Sequence, residues 1–418
     1  MDANINNEEN YHQQAADGRR RIARRRARRL ELITVLQQTE EFPSRSENKT
    51  DELVETFLET LKDDIHDMIC ESDYDDGNYQ GLDSDRDTEA EVETVLRLFP
   101  GVMTRRKEIV YYEDDDDEEE EMVHYPIQLL AVTFHADSVW CNVKSVSFIP
   151  LVAKLAIELD LFDEQQRGGL LIEGEGQHEG QHVLHSLMCT DSVKRRSQER
   201  YEYIDDKYLR VLIQLRKLGL LKKEDIRRYC LLYNLCGEED YFAEKRFRFL
   251  VEWDPSALIQ TTGYGYVPLN LTVATSKSSI RGFQSVFEYG IHYFPNKKGI
   301  NLLFRKTHYG GTPFKFACDN YGHEHVTEVV EDTLIRYSTS LDNHAPPFNI
   351  VEALMMAATD ENVHLDCVYF LIRREPDILQ KLLSSLTSSS SSIESATHIN
   401  HNKRKRNDKK KDDDDDGN

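Results

Sequence analysis

Apolar residues recur at three- and four-residue steps in several parts of this chain, which is the pattern of amphipathic helices. One such segment covers residues 50–70 and begins at Thr50-Asp51, a pair suited to a helix start. From Met122 to Leu383 the sequence is regular, apolar and typical of helices. The apolar stripe of each helix must pack on a neighbour, so the pattern predicts an all-α fold.

Proline ends several of these helical patterns at related positions. The prolines are Pro100, Pro255, Pro295 and Pro376. Proline lacks the amide hydrogen of a helix bond and moves the preceding residue out of the α region. Pro255 and Pro295 lie 40 residues apart, and Pro376 follows after 81 residues, about twice that interval. The spacing predicts a repeating unit of about 40 residues.

One unit between Pro295 and Pro376 shows its internal order. Thr312 can cap a helix, and Pro313 suits the first helical position, where no amide bond is lost. Gly322 can end that helix with a positive φ, and an apolar second helix follows it. A similar Gly-x-Val-Pro string lies 45 residues earlier, around Pro268. Two helices in each unit of about 40 residues predict a helical-hairpin solenoid.

The stretch Gly310–Phe314, with Ala317-Cys318 and Gly322-His323, resembles the ankyrin repeat. In that repeat a Gly-x-Thr-Pro-Leu-His turn opens the first helix, and Gly-His leads to the second. Weaker copies are Tyr125–Ala131, His182–His185 and Val267–Asn270.

Taken together, these segments are similar to a divergent ankyrin-like repeat family expanded in diatoms, as are Phe99-Pro100 and His364–Leu371. The resemblance covers about residues 90–383 and implies an ankyrin-like solenoid that binds other proteins. Lys315 replaces the usual histidine, and the period exceeds the roughly 33 residues of an ankyrin repeat. We therefore expect insertions between the helices.

The amino-acid composition predicts charged, solvated segments outside this region. The chain has 418 residues with 52 Lys and Arg against 76 Asp and Glu, a formal charge of −24. Such charge favours solvated segments beside a folded part. The predicted organisation is a disordered segment 1–18, an Arg-rich helical segment 19–40, the amphipathic helix 50–70, a linker 71–90, the solenoid 90–383 with an acidic loop 113–121, and a disordered tail 384–418.

Cysteine usage and hydropathy bear on the compartment. The seven cysteines are scattered and form no C-x-x-C pair, which favours free thiols in a reducing interior. The N-terminus has no apolar core of a secretory signal, and no stretch approaches the ~20 apolar residues of a membrane span. We therefore expect an intracellular, cytoplasmic or nuclear protein that is monomeric and has no membrane span.

The string His178-Glu179-Gly180-Gln181-His182 matches the H-E-x-x-H pattern of zinc hydrolases. That pattern needs a helix, and the glycines around it each disfavour a helix by about 0.5–1 kcal/mol relative to alanine. His185 lies where the repeat places a turn histidine that bonds to neighbouring backbone. We predict no catalytic residue, no metal and no cofactor, with a zinc hydrolase at 178–182 as the remote alternative.

Two basic clusters have several interpretations. Residues 19–29 contain eight arginines, which could contact nucleic-acid phosphate or an acidic membrane, direct nuclear import, or pair with the acidic loop 113–121. The favoured interpretation is a solvated, disordered arm. No aromatic residues lie beside them for base stacking. A second candidate import signal is Lys403, Arg404, Lys405 and Arg406. A nuclear or nucleic-acid-associated adaptor is therefore the alternative function, and it is not the favoured one.

The predicted turns between repeats carry aromatic residues. These are Tyr264, Tyr266, His308 and Tyr309. Tyrosine is favoured at interfaces because it buries much area with few rotatable bonds. We predict that these four residues contact an unidentified protein partner. The favoured function is a non-enzymatic protein–protein interaction scaffold.

Overall fold

The computed structural model describes residues 48–71, 79–112, 119–135, 138–174, 181–191, 197–238, 241–274, 280–295, 299–339 and 350–380. They are mostly helical, as predicted. They divide into two compact units, one within Met1–Gln260 and Ala274–Gly282 and the other within Thr261–Val273 and Phe283–Asn418. The predicted segments 1–18, 19–40 and 384–418 lie outside the described residues.

The first unit is built mainly of helices joined by short 3₁₀ segments. Its helices are α1 (Asn48–Cys70), α2 (Glu89–Leu98), α3 (Pro126–Leu129), α4 (Ile149–Glu158), α5 (Val183–Ser186), α6 (Gln198–Lys217), α7 (Lys223–Arg228), α8 (Leu231–Cys236) and α9 (Glu244–Trp253). Helix α1 spans the amphipathic segment 50–70, and it packs against α3 and the 3₁₀ turn Pro100–Met103. The core of this unit includes the buried side chains of Phe148, Tyr208 and Phe247.

The first unit contains two antiparallel β-hairpins, which the all-α prediction did not include. Strand β1 (Lys107–Tyr112) pairs with β2 (Glu119–His124), and β3 (Val132–His135) pairs with β4 (Ser138–Cys141). Glu119 to Glu121 of the predicted acidic loop therefore belong to a strand, and residues 113–118 lie outside the described part. The β-branched and aromatic residues of β1 favour a strand. Backbone hydrogen bonds then join it to β2.

The segment 71–90 differs from the linker that its polar composition predicts. Leu82 is fully buried, and the Ser84 amide donates to the Lys144 carbonyl at 2.9 Å. Thr88 then caps α2, with its hydroxyl accepting from the Glu91 amide and the Glu91 carboxylate accepting from the Thr88 amide. Residues 79–88 are thus packed on the first unit.

The helices that the structure describes in the second unit vary from 4 to 17 residues in length. Its helices are α10 (Pro268–Leu271), α11 (Ile280–Tyr293, from Phe283 onward), α12 (Asn301–Phe304), α13 (Pro313–Tyr321), α14 (His323–Thr339), α15 (Ile350–Thr359) and α16 (Asp366–Arg374). Thr312 caps α13 by accepting from the Lys315 amide at 3.2 Å, and Gly322 ends it with φ +86°. Both features were predicted.

The prolines end their helices as expected. Helices α2, α9, α11 and α16 each end two residues before a proline, namely Pro100, Pro255, Pro295 and Pro376. The physical reason is the restriction that proline places on the residue before it.

The short helices α3, α5, α7 and α10 begin with one shared contact. In each, the third helical side chain accepts a hydrogen bond from the backbone amide of the cap residue. The pairs are Tyr125–Gln128 (2.8 Å), His182–His185 (3.3 Å), Lys222–Asp225 (2.8 Å) and Val267–Asn270 (2.9 Å). Three of these starts follow the ankyrin-like strings of the sequence, whereas the start at Lys222 has no such string and was missed. From α5 onward the starts at 183, 223, 268 and 313 are 40, 45 and 45 residues apart.

Candidate partner-binding site

The first of two related turns lies before α10. The Thr262 amide donates to the Tyr266 carbonyl, and the Gly265 amide donates to the Thr262 carbonyl, each at 2.9 Å. Gly265 has φ +81°, a conformation that L side chains rarely adopt. A Cβ at this position would also lie 3.4 Å from the Lys306 carbonyl oxygen. That distance is an ordinary van der Waals contact, so it is the backbone conformation of the turn that requires glycine.

The second turn, before α13, repeats this geometry. The Thr307 amide donates to the Gly311 carbonyl, and the Gly310 amide donates to the Thr307 carbonyl, again at 2.9 Å. Gly310 has φ +77°. Residues 262–266 and 307–311 share the sequence Thr-x-Tyr-Gly-x, so the same local chemistry forms both turns.

The structure brings the two turns into direct contact. The His308 amide donates to the Tyr264 carbonyl at 3.0 Å. The Tyr309 side chain is 76% exposed and that of Tyr264 is 62% exposed, the two largest fractions among the exposed large apolar side chains of the described residues. His308 is also exposed, whereas Tyr266 is only half-exposed. All four residues predicted to contact a partner are therefore neighbours.

Backbone hydrogen bonds join a third layer to the residues just before the second turn. The Lys306 amide donates to the Asn362 carbonyl and the His364 amide donates to the Phe304 carbonyl, both at 2.7 Å. This layer carries Leu365 (58% exposed) and Tyr369 (57% exposed) at the start and on the outside of α16.

We call Tyr264, Tyr309, Leu365 and Tyr369 the exposed aromatic face. Sequence reasoning missed Leu365 and Tyr369, although both lie in the segment 364–371 that contributed to the ankyrin-like resemblance. From sequence alone, an apolar residue in or next to a helix is assigned to the core, because the exposed face of that helix is not known until its packing is seen.

Aromatic rings pack between the second turn's neighbouring helices α12, α13 and α16. The ring centroid of Phe304 lies 5.1 Å from that of Phe314 and 5.6 Å from that of Phe370. The Asn320 side chain donates to the Val273 carbonyl at 2.6 Å and so ties α13 to the end of α10. The exposed aromatic face is thus carried on a packed framework that fixes the spacing of its side chains.

The histidines of the zinc-like string form a different structure. His178 and Glu179 lie outside the described residues. His182 is buried and stacks on His185 with ring centroids 4.0 Å apart. His185 Nδ1 accepts from the His182 amide, and its Nε2 lies 3.0 Å from the Tyr229 carbonyl oxygen. Both ring nitrogens of His185 are therefore engaged with backbone, the structural role predicted for it.

Burial controls the protonation of this pair. It lowers the pKa of His182 to about 3, and the neighbouring His185 contributes to the shift. Burial also lowers the pKa of His185. Neutral imidazoles suit the hydrogen bond from a backbone amide to Nδ1. Within the described ranges, no three His, Cys, Asp or Glu side chains are placed to hold a metal ion.

The cysteines are unsuited to nucleophilic chemistry. All seven are free thiols, and burial raises the pKa of Cys70 and of Cys367 to about 12. The Sγ of Cys70 lies 3.6 Å from the Nε2 of His66, a spacing that resembles a Cys–His pair. Burial lowers the pKa of His66, whose Nε2 also lies 3.0 Å from the Arg105 carbonyl oxygen. Neither group is ionised near neutral pH, so the pair does not form a reactive thiolate.

One buried ion pair in the first unit was not visible in the sequence. Asp205 accepts from Arg246 Nε and from the Lys245 amide, each at 2.9 Å. The Nη1 of Arg246 donates to the carbonyls of Leu187 and Cys189. Both charged side chains are fully buried, so this pair holds the segment after α5 against α6 and α9.

Two predictions cannot be placed in the structure. The Arg-rich residues 19–29 and the candidate import signal Lys403–Arg406 lie outside the described residues.

No helix among those that the structure describes is long and apolar enough to cross a membrane.

Comparison of the chain with protein-family models, curated proteins and solved structures finds no significant match.

Proposed function

We propose that this chain is a non-enzymatic protein–protein interaction scaffold built on ankyrin-like repeats, and that the exposed aromatic face binds its partner. The observation that carries the proposal is the exposure of Tyr264 and Tyr309 on two turns joined by a backbone hydrogen bond, with exposed Leu365 and Tyr369 on the layer bonded next to them. Single exposed apolar residues are ordinary on a protein surface, but several large exposed ones on adjoining layers are typical of an interface.

The chemistry of the side chains supports the same function. A tyrosine can bury about 150–250 Å² on contact and offers a hydroxyl for a hydrogen bond. Its two rotatable bonds cost little entropy on binding. The turns are already fixed by backbone hydrogen bonds and by Gly265 and Gly310. They therefore lose little conformational entropy when a partner binds.

The repeated helix starts support the ankyrin-like part of the proposal. Asn270 in α10 and His185 in α5 make the contact to the cap amide that the turn histidine makes in an ankyrin repeat. Lys315 departs from it, because an ammonium group cannot accept a hydrogen bond. There, Thr312 supplies the cap through its own hydroxyl.

Two tyrosine substitutions test the proposed interface. In the full chain, Tyr264→Ser combined with Tyr309→Ser should reduce capture of a cellular binding partner at least about tenfold, because a single hot-spot tyrosine contributes ~2 kcal/mol or more. Capture is quantified by mass spectrometry after pull-down. The matched control is Tyr203→Ser, which removes an exposed tyrosine from α6 in the first unit.

The melting temperature of all variants should stay close to that of the unchanged chain, because the substituted side chains are exposed. Equal capture by the double variant and the unchanged chain would contradict the proposed interface. So would an equal loss in the Tyr203 control.

A further inference from the structure

The turn between α6 and α7 carries a group of positive charges, although the formal charge of the whole chain is −24. Residues 210–228 contain seven lysines and arginines against two carboxylates. All seven cations are exposed, and six of them form no ion pair with a carboxylate among the described residues. These six, which we call the basic turn, are Arg210, Arg216, Lys217, Lys222, Lys223 and Arg228.

The two carboxylates of this stretch do little to neutralise it. Asp225 is buried and accepts from Arg167 Nη2 at 2.9 Å, so the two charges balance each other. Arg227, the seventh cation, forms an ion pair with Asp254 at 2.8 Å. Within residues 210–228, Glu224 is thus the one exposed carboxylate beside the six cations of the basic turn.

The backbone of this turn is fixed by local hydrogen bonds. Gly219 has φ +73°, and the Leu220 amide donates to the Leu215 carbonyl at 2.9 Å, which ends α6 in a tight turn. Arg167 Nη1 donates to the Leu220 carbonyl at 3.1 Å and holds the turn in place. The five residues 218–222 that join the helices span at most about 18 Å. The cations at the end of α6 and at the start of α7 therefore lie on adjoining parts of the surface.

Arg216 is held on this surface by aromatic rings of α9. Its guanidinium carbon lies 4.2 Å from the ring centroid of Trp253 and 5.7 Å from that of Phe249. A cation–π contact orients the guanidinium but leaves its positive charge in place. Trp253 directly precedes Asp254, the partner of Arg227, so the ends of α6 and α9 are tied to α7.

Helix stability explains only part of the basic turn. Cations are favourable in the last turn of a helix, where Arg216, Lys217 and Arg228 lie. Lys222 and Lys223 lie instead at the start of α7, where the helix dipole favours carboxylates. Like charges at close range also repel one another. An anionic ligand would relieve both of these unfavourable contributions.

An exposed leucine distinguishes between the kinds of anion that could bind. Leu218 is 46% exposed and lies in the turn beside Lys217. The apolar side chain of a peptide can cover it and gain free energy, whereas a phosphate group gains nothing from that contact. The guanidinium of Arg216 already lies over the ring of Trp253, which base stacking would need. The surface therefore favours an acidic peptide over a nucleic acid.

We propose that the basic turn binds a short acidic segment of a partner protein, with carboxylates opposite its lysines and arginines and one apolar side chain on Leu218. An extended peptide of about six residues is ~20 Å long at about 3.3 Å per residue, which matches the span of the turn. The proposal uses residues of the first unit alone and does not depend on the function proposed for the exposed aromatic face.

A labelled acidic peptide tests this binding on the full chain. The probe is fluorescein-labelled Glu-Asp-Glu-Leu-Glu-Asp, and binding is measured by fluorescence anisotropy. Lys217→Gln combined with Lys222→Gln and Lys223→Gln should weaken binding of this peptide at least about tenfold, because three exposed charge contacts are lost.

The matched control changes the net charge by the same amount elsewhere. It combines Lys154→Gln, Lys245→Gln and Lys315→Gln, three exposed lysines outside the basic turn. Binding of the peptide should change less than about threefold in this control. Equal losses in the two triple variants would mean that the peptide responds only to net charge, and would overturn the proposal. Absence of saturable binding to the unchanged chain would overturn it as well.

Two further probes test the kind of ligand. A peptide with serine in place of its leucine should bind the unchanged chain about fivefold more weakly, and Leu218→Ser should remove that difference. An equal affinity of both peptides for the unchanged chain would contradict the apolar contact. Hexathymidylate, a single strand of similar charge, should bind more weakly than the leucine peptide. Equal or tighter binding of hexathymidylate, lost in the variant of the basic turn, would assign this surface to phosphate instead.

Discussion

Arg246 and Asp205 show how a single pair of residues can organise a part of the first unit. Arg246 has no access to solvent, yet its guanidinium donates to Asp205 and to the carbonyls of Leu187 and Cys189. A buried charge persists only when it is paired and hydrogen-bonded. The pair therefore fixes the backbone after α5.

Removal of this arginine should destabilise the chain strongly. Arg246→Met leaves the Asp205 carboxylate buried without its partner, and we expect it to lower the free energy of unfolding by about 3–5 kcal/mol. Arg248→Met, on the same helix, removes the exposed ion pair with Glu252 and should cost far less, about 0.5 kcal/mol. Urea denaturation followed by circular dichroism measures both values. Similar losses in the two variants would contradict the structural role assigned to Arg246.

At the scale of single elements, helix starts and ends were predicted best where one residue type restricts the backbone conformation. Proline ends α9 and α11, Thr312 caps α13, and Gly322 ends it with a positive φ. Each of these residues restricts the chain locally, so its effect can be predicted without knowledge of the fold.

Elements that depend on distant partners were missed. Strand β2 begins inside an acidic run, because its pairing is determined by β1 rather than by its own composition. The start of α7 has neither proline nor a glycine turn, and only the contact between Asp225 and the Lys222 amide shows that it repeats the starts of α5 and α10. Leu82 is buried within a segment whose polar residues predict a linker.

The helix-start contact gives a prediction for α10. Asn270→Ala removes the side chain that accepts from the Val267 amide and should lower the free energy of unfolding by about 1–2 kcal/mol, since both groups are buried. The control is Gln284→Ala, which removes a side-chain contact to Glu288 within α11. It should cost only about 0.2–0.5 kcal/mol. Chemical denaturation of both variants tests this, and equal costs would mean that the contact adds nothing to the helix start.

For the whole molecule, the helical fold class could be predicted from the periodicity of apolar residues. The arrangement of the candidate site could be seen only in the structure. The sequence indicated Tyr264, Tyr266, His308 and Tyr309 separately, as aromatic residues in two turns. Only the bond from the His308 amide to the Tyr264 carbonyl shows that the turns are neighbours. The extension to Leu365 and Tyr369 depends on how the third layer packs, which a repeat pattern cannot give because its period varies between 40 and 45 residues.

Site-specific photo-crosslinking tests the exposed aromatic face most directly. p-Benzoylphenylalanine is placed at position 309 or, as a control, at position 203 of the full chain, and the cells are irradiated before the adducts are identified. We expect a defined protein adduct at position 309 that is absent at position 203, and its loss when Tyr264→Ser and Tyr369→Ser are added. Equal adducts at both positions, or none at position 309, would contradict a partner-binding role for this face.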